Sequence, residues 1–216
     1  MTMVLRNSIL LAASCLPIPS HSWDIFRFAK QSSQFITFAP AAGGRARTLR
    51  PGDSLGELRL YPLDDVVMGG SSASTFDNAR RRWSGDVIEA NGGFVGCRTK
   101  ALSPALDVSS CGGLALTVSC PSKLRFKCVL RDSTDFNGIA HTASFDTAGT
   151  AGQVVRLPFA SFVATRFAKT VPGARLDAGS VVGFQLALSK FEYDGKLNPL
   201  FREGAFELEL SGVAVY

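Results

Sequence analysis

The stretch Asp64–Ser74, DDVVMGGSSAS, places two adjacent carboxylates, paired glycines and several hydroxyls side by side. Acid pairs can do general acid/base work, and Gly-Ser runs can cradle phosphates. Either chemistry needs convergent partners: a base, a metal or an oxyanion cradle. The neighbouring sequence offers serines and backbone groups but no histidine and no HxH or DxD spacing. Adjacent strand residues also point to opposite faces, so the two carboxylates are not expected to share one site. The expectation is structural: one of them, Asp65, accepts hydrogen bonds from turn amides around Gly69 and Gly70. Ligand contact is the alternative, and no catalytic residue is assigned.

Other reactive side chains are few. His141 is the only histidine beyond His21, and a lone strand histidine reads as a hydrogen-bonded core or rim residue. No GxSxG elbow is present to build a Ser-His-Asp triad. The five cysteines (Cys15, Cys97, Cys111, Cys120, Cys128) form no CxxC pair. A zinc site is therefore not expected, and the thiols read as free and structural rather than as a disulfide framework. Neither metal nor cofactor is expected.

The elements that must position these residues are short. Twenty-one Gly and ten Pro along 216 residues suggest many strands joined by tight turns. From residue 55 the hydrophobic period is two, clearest where Phe206, Leu208 and Leu210 alternate with Glu207, Glu209 and Ser211. Eight or nine strands at this spacing predict an all-β antiparallel sandwich. Asn91-Gly92-Gly93 predicts a sharp turn, after which Phe94 enters the core and Arg98 emerges two pleats later on the same face. An Arg98–Asp65 pair across the sandwich rim is the resulting expectation.

The net charge of +5 sits in residues 1–50, which carry six basic residues against Asp24; the remaining chain is neutral. No nucleic-acid partner is expected, and Arg80-Arg81-Arg82 reads as a solvated hairpin loop. Residues 1–22 read as a targeting leader, acid-free and with an apolar run too short to span a bilayer. Residues 23–54 read as an amphipathic aromatic helical segment (Trp23, Phe26, Phe35, Phe38) followed by a Gly/Pro/Arg linker. That segment either packs across the domain or docks on a partner or a membrane surface.

Three blocks in order, DDVVMGGSSASTF, WSGDVIEANGGFVGCRTK and GFQLALSKFEYDGKLNPLFREGAFELELSGVAVY, make residues 55–216 resemble a CIA30 domain. This is the complex I intermediate-associated protein 30 family. The resemblance implies a jelly-roll, galactose-binding-like fold and a non-enzymatic, chaperone-like assembly factor. Its implied partners are subunits or assembly intermediates of a membrane-bound organellar complex, mitochondrial respiratory complex I first, with peripheral membrane association possible. A plastid branch of the family carries a fused Rossmann domain, and no GxGxxG follows a strand here. A plastid biogenesis factor, a permanent accessory subunit and a carbohydrate- or ligand-binding module are the alternatives. Phe191, Tyr193 and Phe201, on a long loop with turn signals at Asp194-Gly195 and Asn198-Pro199, are the partner-contact candidates within the domain.

Overall fold

The computed structural model describes residues 45–216. Their strands, in chain order, are β1 (Arg47–Thr48), β2 (Leu60–Pro62), β3 (Ala73–Asp77), β4 (Arg82–Val87), β5 (Phe94–Thr99), β6 (Leu106–Asp107) and β7 (Gly113–Ser119). They continue with β8 (Arg125–Arg131), β9 (Ala140–Asp146), β10 (Gln153–Pro158), β11 (Val163–Arg166), β12 (Lys169–Thr170), β13 (Gly183–Ser189) and β14 (Gly204–Val215). A five-stranded sheet, ordered β10-β7-β14-β4-β3, packs against a seven-stranded sheet, ordered β12-β11-β9-β8-β13-β5-β2. Within both sheets every pairing is antiparallel; β1 and β6 form a small parallel pair apart from them. This is the expected all-β antiparallel sandwich. The helical extension drawn over Trp23–Phe38 lies outside the described residues. Residues 47–54, read as the end of a linker, are fixed to the sandwich: Arg47 and Thr48 pair with Leu106 and Asp107, and Leu49 is buried.

Alternation builds the core from both sheets. Leu114, Leu116 and Val118 of β7 and Leu208 and Leu210 of β14 face Phe126, Cys128, Leu130, Leu186 and Leu188 of the other sheet, all buried. Trp83 lies at the centre, edge-on to Phe206 at 4.8 Å between ring centroids and tilted on Phe126 at 6.0 Å. In β14 the inward parity changes from Leu210 to Val213 because a bulge falls between Leu210 and Gly212. The extra residue shifts the register, so that Val213 and Val215 still point inward.

The face assigned to Phe94 is reversed. Val95 and Cys97 are fully buried, whereas Phe94, Gly96 and Arg98 lie on the outer face of the seven-stranded sheet, opposite Ser189, Ala187 and Gln185. Phe94 and Arg98 do share a face, as the pleat requires, but it is the outer one. The arginine triplet lies at the solvated β3–β4 turn, as expected, with surface contacts: Arg80 pairs with Asp77 at 3.2 Å, Arg82 with Glu207 at 3.5 Å, and Arg81 Nε donates to the Leu210 carbonyl.

Candidate functional site

Asp64 and Asp65 do not sit on a strand. Asp64 precedes, and Asp65 opens, a 3-10 turn running to Met68 and closed by Gly69 in left-handed conformation (φ +88°). Both carboxylates point inward and both are occupied. Asp65, at 0% exposure, accepts from the Ser72 amide (2.9 Å), the Ser72 hydroxyl (2.8 Å), the Gly93 amide (2.8 Å) and the Phe94 amide (3.3 Å). Asp64 accepts from the Ser74 amide and hydroxyl (2.7 Å each) and the Gly96 amide (3.3 Å). The amides that reach the two acids come from β3, β5 and the residues just before them; Gly69 and Gly70 spend theirs on the carbonyls of Val66 and Asp65. The structural reading of Asp65 therefore extends to Asp64, with different donors.

The glycines of the motif divide by task. At Gly70 and Gly92 a Cβ would stand 2.3 Å and 2.1 Å from the Asp65 carboxylate, so these positions exist for close approach. Asn91 (φ +58°) and Gly93 (φ +99°) supply the left-handed backbone that turns the chain into β5. Arg98 does not pair with Asp65. Its guanidinium lies over the Phe136 ring, 4.5 Å from the centroid, on the far side of the sheet.

That outer face gathers the side chains not used by the core. Across one row of the sheet lie Val163, Thr142, Val129, Gln185, Arg98 and Tyr61. Arg98 makes no ion pair among the described residues, and burial, then the like charge of Arg131, lowers its pKa. Arg131 donates to the carbonyls of Asp135 (2.6 Å) and Phe136 (3.0 Å), fixing the loop that lays Phe136 over Arg98. Tyr61 and Phe136 stay 41% and 42% exposed, so two aromatics flank a half-buried cation beside Gln185.

At the other end of the face the loop 190–201 closes over Lys127. The Lys127 ammonium donates to the carbonyls of Phe191 and Glu192 and sits 5.4 Å from the Tyr193 ring centroid. Burial pushes it down to about 8, partly opposed by Glu192. Glu192 accepts from the Ser144 hydroxyl at 2.6 Å, and the Tyr193 hydroxyl donates to the Thr142 carbonyl at 3.2 Å. Phe191 and Tyr193 are half-buried by these contacts, and Phe201 packs against the core. Leu197 of this loop is an exposed apolar side chain. Trp23, Phe26, Phe35 and Phe38 lie outside the described residues.

His141 is a core histidine, 2% exposed, with Nε2 3.0 Å from Asp132 Oδ2. Cys97, Cys111, Cys120 and Cys128 are free thiols, and no group of histidine, cysteine and carboxylate side chains suited to a metal occurs among the described residues. Sequence reasoning missed Ser72, Ser74, Lys127, Arg131 and Phe136. The one available signal was the charge of Arg125, Lys127 and Arg131 in the strand RFKCVLR, where alternation sends all three to one face.

No curated protein matches the chain in sequence. Among solved structures it is similar to a family 11 carbohydrate-binding module from Clostridium thermocellum in complex with a β-1,3-1,4-mixed-linked tetrasaccharide. That likeness has 13% identity, covers 77% of this chain and 92% of that one, and has a TM-score of 0.48. The same family's module from the cellulosomal cellulase Lic26A-Cel5E of Clostridium thermocellum shows 14% identity over 81% and 95% of the two chains, TM-score 0.46. An agarase, AgWH50C, shows 9% identity over 67% of this chain and 23% of that one, TM-score 0.42. Likenesses this distant carry no functional inference. The sequence model for complex I intermediate-associated protein 30 matches residues 53–210, from the turn before β2 to the inward-facing end of the Phe206–Leu210 alternation, and the chain belongs to the CIA30 family.

Proposed function

We propose that this chain is a non-enzymatic, chaperone-like assembly factor that binds intermediates of mitochondrial respiratory complex I. Family membership over residues 53–210 carries the reading. The geometry supports it in two ways. The carboxylates that could have formed an acid pair are spent on the chain's own amides and hydroxyls, and a buried, saturated carboxylate is a poor proton carrier. The outer face of the seven-stranded sheet offers Tyr61, Phe136 and Arg98, the residue types enriched at protein interfaces. Phe191 and Tyr193 border this face and extend it, and Phe201 anchors their loop; we assign a second contact to Trp23, Phe26, Phe35 and Phe38.

Affinity purification of the tagged full chain from isolated mitochondria and from plastids, read on native gels, tests the proposal. Co-migration with partial complex I assemblies, weakened by Arg98→Met with Tyr61→Ala, is the expected result. Recovery with mature complexes alone would replace an assembly factor by an accessory subunit, and recovery from plastids alone would move the function there. A second reading, a carbohydrate- or ligand-binding module, is favoured by the same pair of exposed aromatics beside Arg98 and Gln185. Retarded migration in native gels containing soluble β-glucan would support it.

A further inference from the structure

The edge of the seven-stranded sheet far from Arg98 ends in the hairpin of β11 and β12. Its two central residues, Phe167 (φ +50°) and Ala168 (φ +58°), both hold left-handed backbone, the pattern of a type I′ turn. Asparagine and glycine take up that conformation at low cost and phenylalanine does not. The strained position is nonetheless given to a large apolar side chain that is 50% exposed.

A second turn is tied to this one. Asp194 and Gly195, also left-handed, form the tip of the 190–201 loop. The Asp194 amide donates to the Ala168 carbonyl at 2.9 Å, and its carboxylate accepts from the Thr170 amide (2.8 Å) and hydroxyl (2.6 Å). Leu197, just beyond, is 70% exposed. Arg166, Lys169 and Lys196 are exposed around the two turns, and Lys196 and Lys169 both act on the Asp194 carboxylate, so they stand beside it. Phe167 and Leu197 are therefore exposed on two turns that are hydrogen-bonded to each other, with Arg166, Lys169 and Lys196 exposed on the same turns.

We propose that the Phe167 turn and the Asp194–Leu197 turn together form a docking site for an anionic lipid surface, with Phe167 and Leu197 inserting between headgroups and Arg166, Lys169 and Lys196 meeting their charge. A protein partner of ordinary size needs a contiguous packed patch of about 800 Å² on each side. Single protruding side chains separated by polar backbone do not provide one. A fluid bilayer interface demands no matching shape: it accepts apolar tips one at a time and attracts the cations around them. The site lies at the opposite end of the outer face from Arg98 and does not depend on complex I being the partner.

Co-sedimentation of the full chain with vesicles tests it, using 70:30 phosphatidylcholine:phosphatidylglycerol against pure phosphatidylcholine. The chain should bind the anionic vesicles and lose that binding as salt is raised. Phe167→Asn with Leu197→Ser should weaken partitioning by about tenfold or more, and Lys169→Gln or Lys196→Gln by about fivefold each. Phe167→Asn also separates docking from folding, because asparagine suits the turn. Its melting temperature should rise by roughly 2–4 °C while vesicle binding falls. Absence of wild-type binding to the anionic vesicles overturns the proposal, as does equal binding by the Phe167→Asn/Leu197→Ser variant. Loss with the lysine variants alone would mean electrostatic adsorption without insertion, and would overturn it too.

Discussion

Replacing Asp65 tests whether the acid pair is structural. Four donors reach this carboxylate, but they are not equivalent. The Ser72 hydroxyl has a second acceptor in the Ile88 carbonyl (3.2 Å), and the Phe94 amide is already long at 3.3 Å. Truncation to alanine therefore orphans chiefly two buried amides, those of Ser72 and Gly93. At about 1–3 kcal/mol for each buried donor left unsatisfied, together with the lost charge-assisted bonds, Asp65→Ala should cost about 3–6 kcal/mol. A domain stable by about 5–15 kcal/mol would be brought close to unfolding. Asp65→Asn keeps the shape but turns one acceptor into a donor facing an amide, for about 2–3 kcal/mol. Arg98→Ala, by contrast, loses a half-exposed stacking contact and should cost about 1 kcal/mol or less. Because the two side chains do not touch, the Asp65→Asn/Arg98→Ala cycle should show coupling below about 0.5 kcal/mol. Urea unfolding followed by the fluorescence of buried Trp83 measures all four states. A coupling above about 1 kcal/mol would restore an ion pair between them. An Asp65→Asn cost under about 1 kcal/mol would refute the view that this carboxylate holds the corner together.

Gly70→Ala and Gly92→Ala, whose Cβ atoms would meet the Asp65 carboxylate, should each destabilise by more than about 3 kcal/mol. Gly69→Ala has open space and only left-handed strain, so about 1 kcal/mol is expected in the same urea assay. Lys127 titrates near 8 when folded and 10.5 when unfolded, so between those values the unfolded chain binds the extra proton and stability rises with pH. Relative to Lys127→Met, the wild type should gain roughly 1.5 kcal/mol from pH 8 to 9.5. Burial raises the Tyr193 phenol above its ordinary 10.0, so its opposing effect begins above that window. Burial raises the Cys97 and Cys128 thiols as well, while Cys111 is partly exposed. Iodoacetamide labelling followed by mass spectrometry should therefore modify Cys111 first among the four described cysteines.

The strands were legible where alternation was strong and uninterrupted. Phe206, Leu208 and Leu210 point inward as the period of two requires, and Asp194-Gly195 forms the left-handed turn that its residue types favour. Legibility failed where a local choice depended on distant atoms. Asp64-Asp65 reads as a strand end because nothing local marks a 3-10 turn, and its hydrogen-bond donors lie up to 32 residues away at Gly96. Phe94 reads as core because it is large and apolar. Its amide is instead held by Asp65, which starts β5 one residue out of the expected phase, and at a period of two that sends every side chain to the other face. The Arg98–Asp65 pairing failed for the same reason: the phase error placed Arg98 on the wrong side of the sheet. Phe136 lay in a loop with no periodicity, so its stacking on Arg98 left no mark in the sequence.

These details explain why the two acids and the two crowded glycines belong together. Residues 63–72 carry the chain from β2 in the seven-stranded sheet to β3 in the five-stranded one. At that crossing Asp64 and Asp65 take donors from Ser72 and Ser74, on the five-stranded side. They also take donors from Gly93, Phe94 and Gly96, on the seven-stranded side. Ser72 passes the connection on to the residue that follows β4 by accepting from the Ile88 amide at 2.9 Å. The pair therefore staples one sheet to the other at a corner, where strand hydrogen bonds cannot do so. Gly70 and Gly92 leave the room that the buried carboxylate occupies. Such a corner fixes the start of β5, hence the phase that presents Arg98 outward beside Gln185 and Tyr61. The residues that resemble a catalytic motif thus act on function indirectly: they decide which face of the sheet a partner meets.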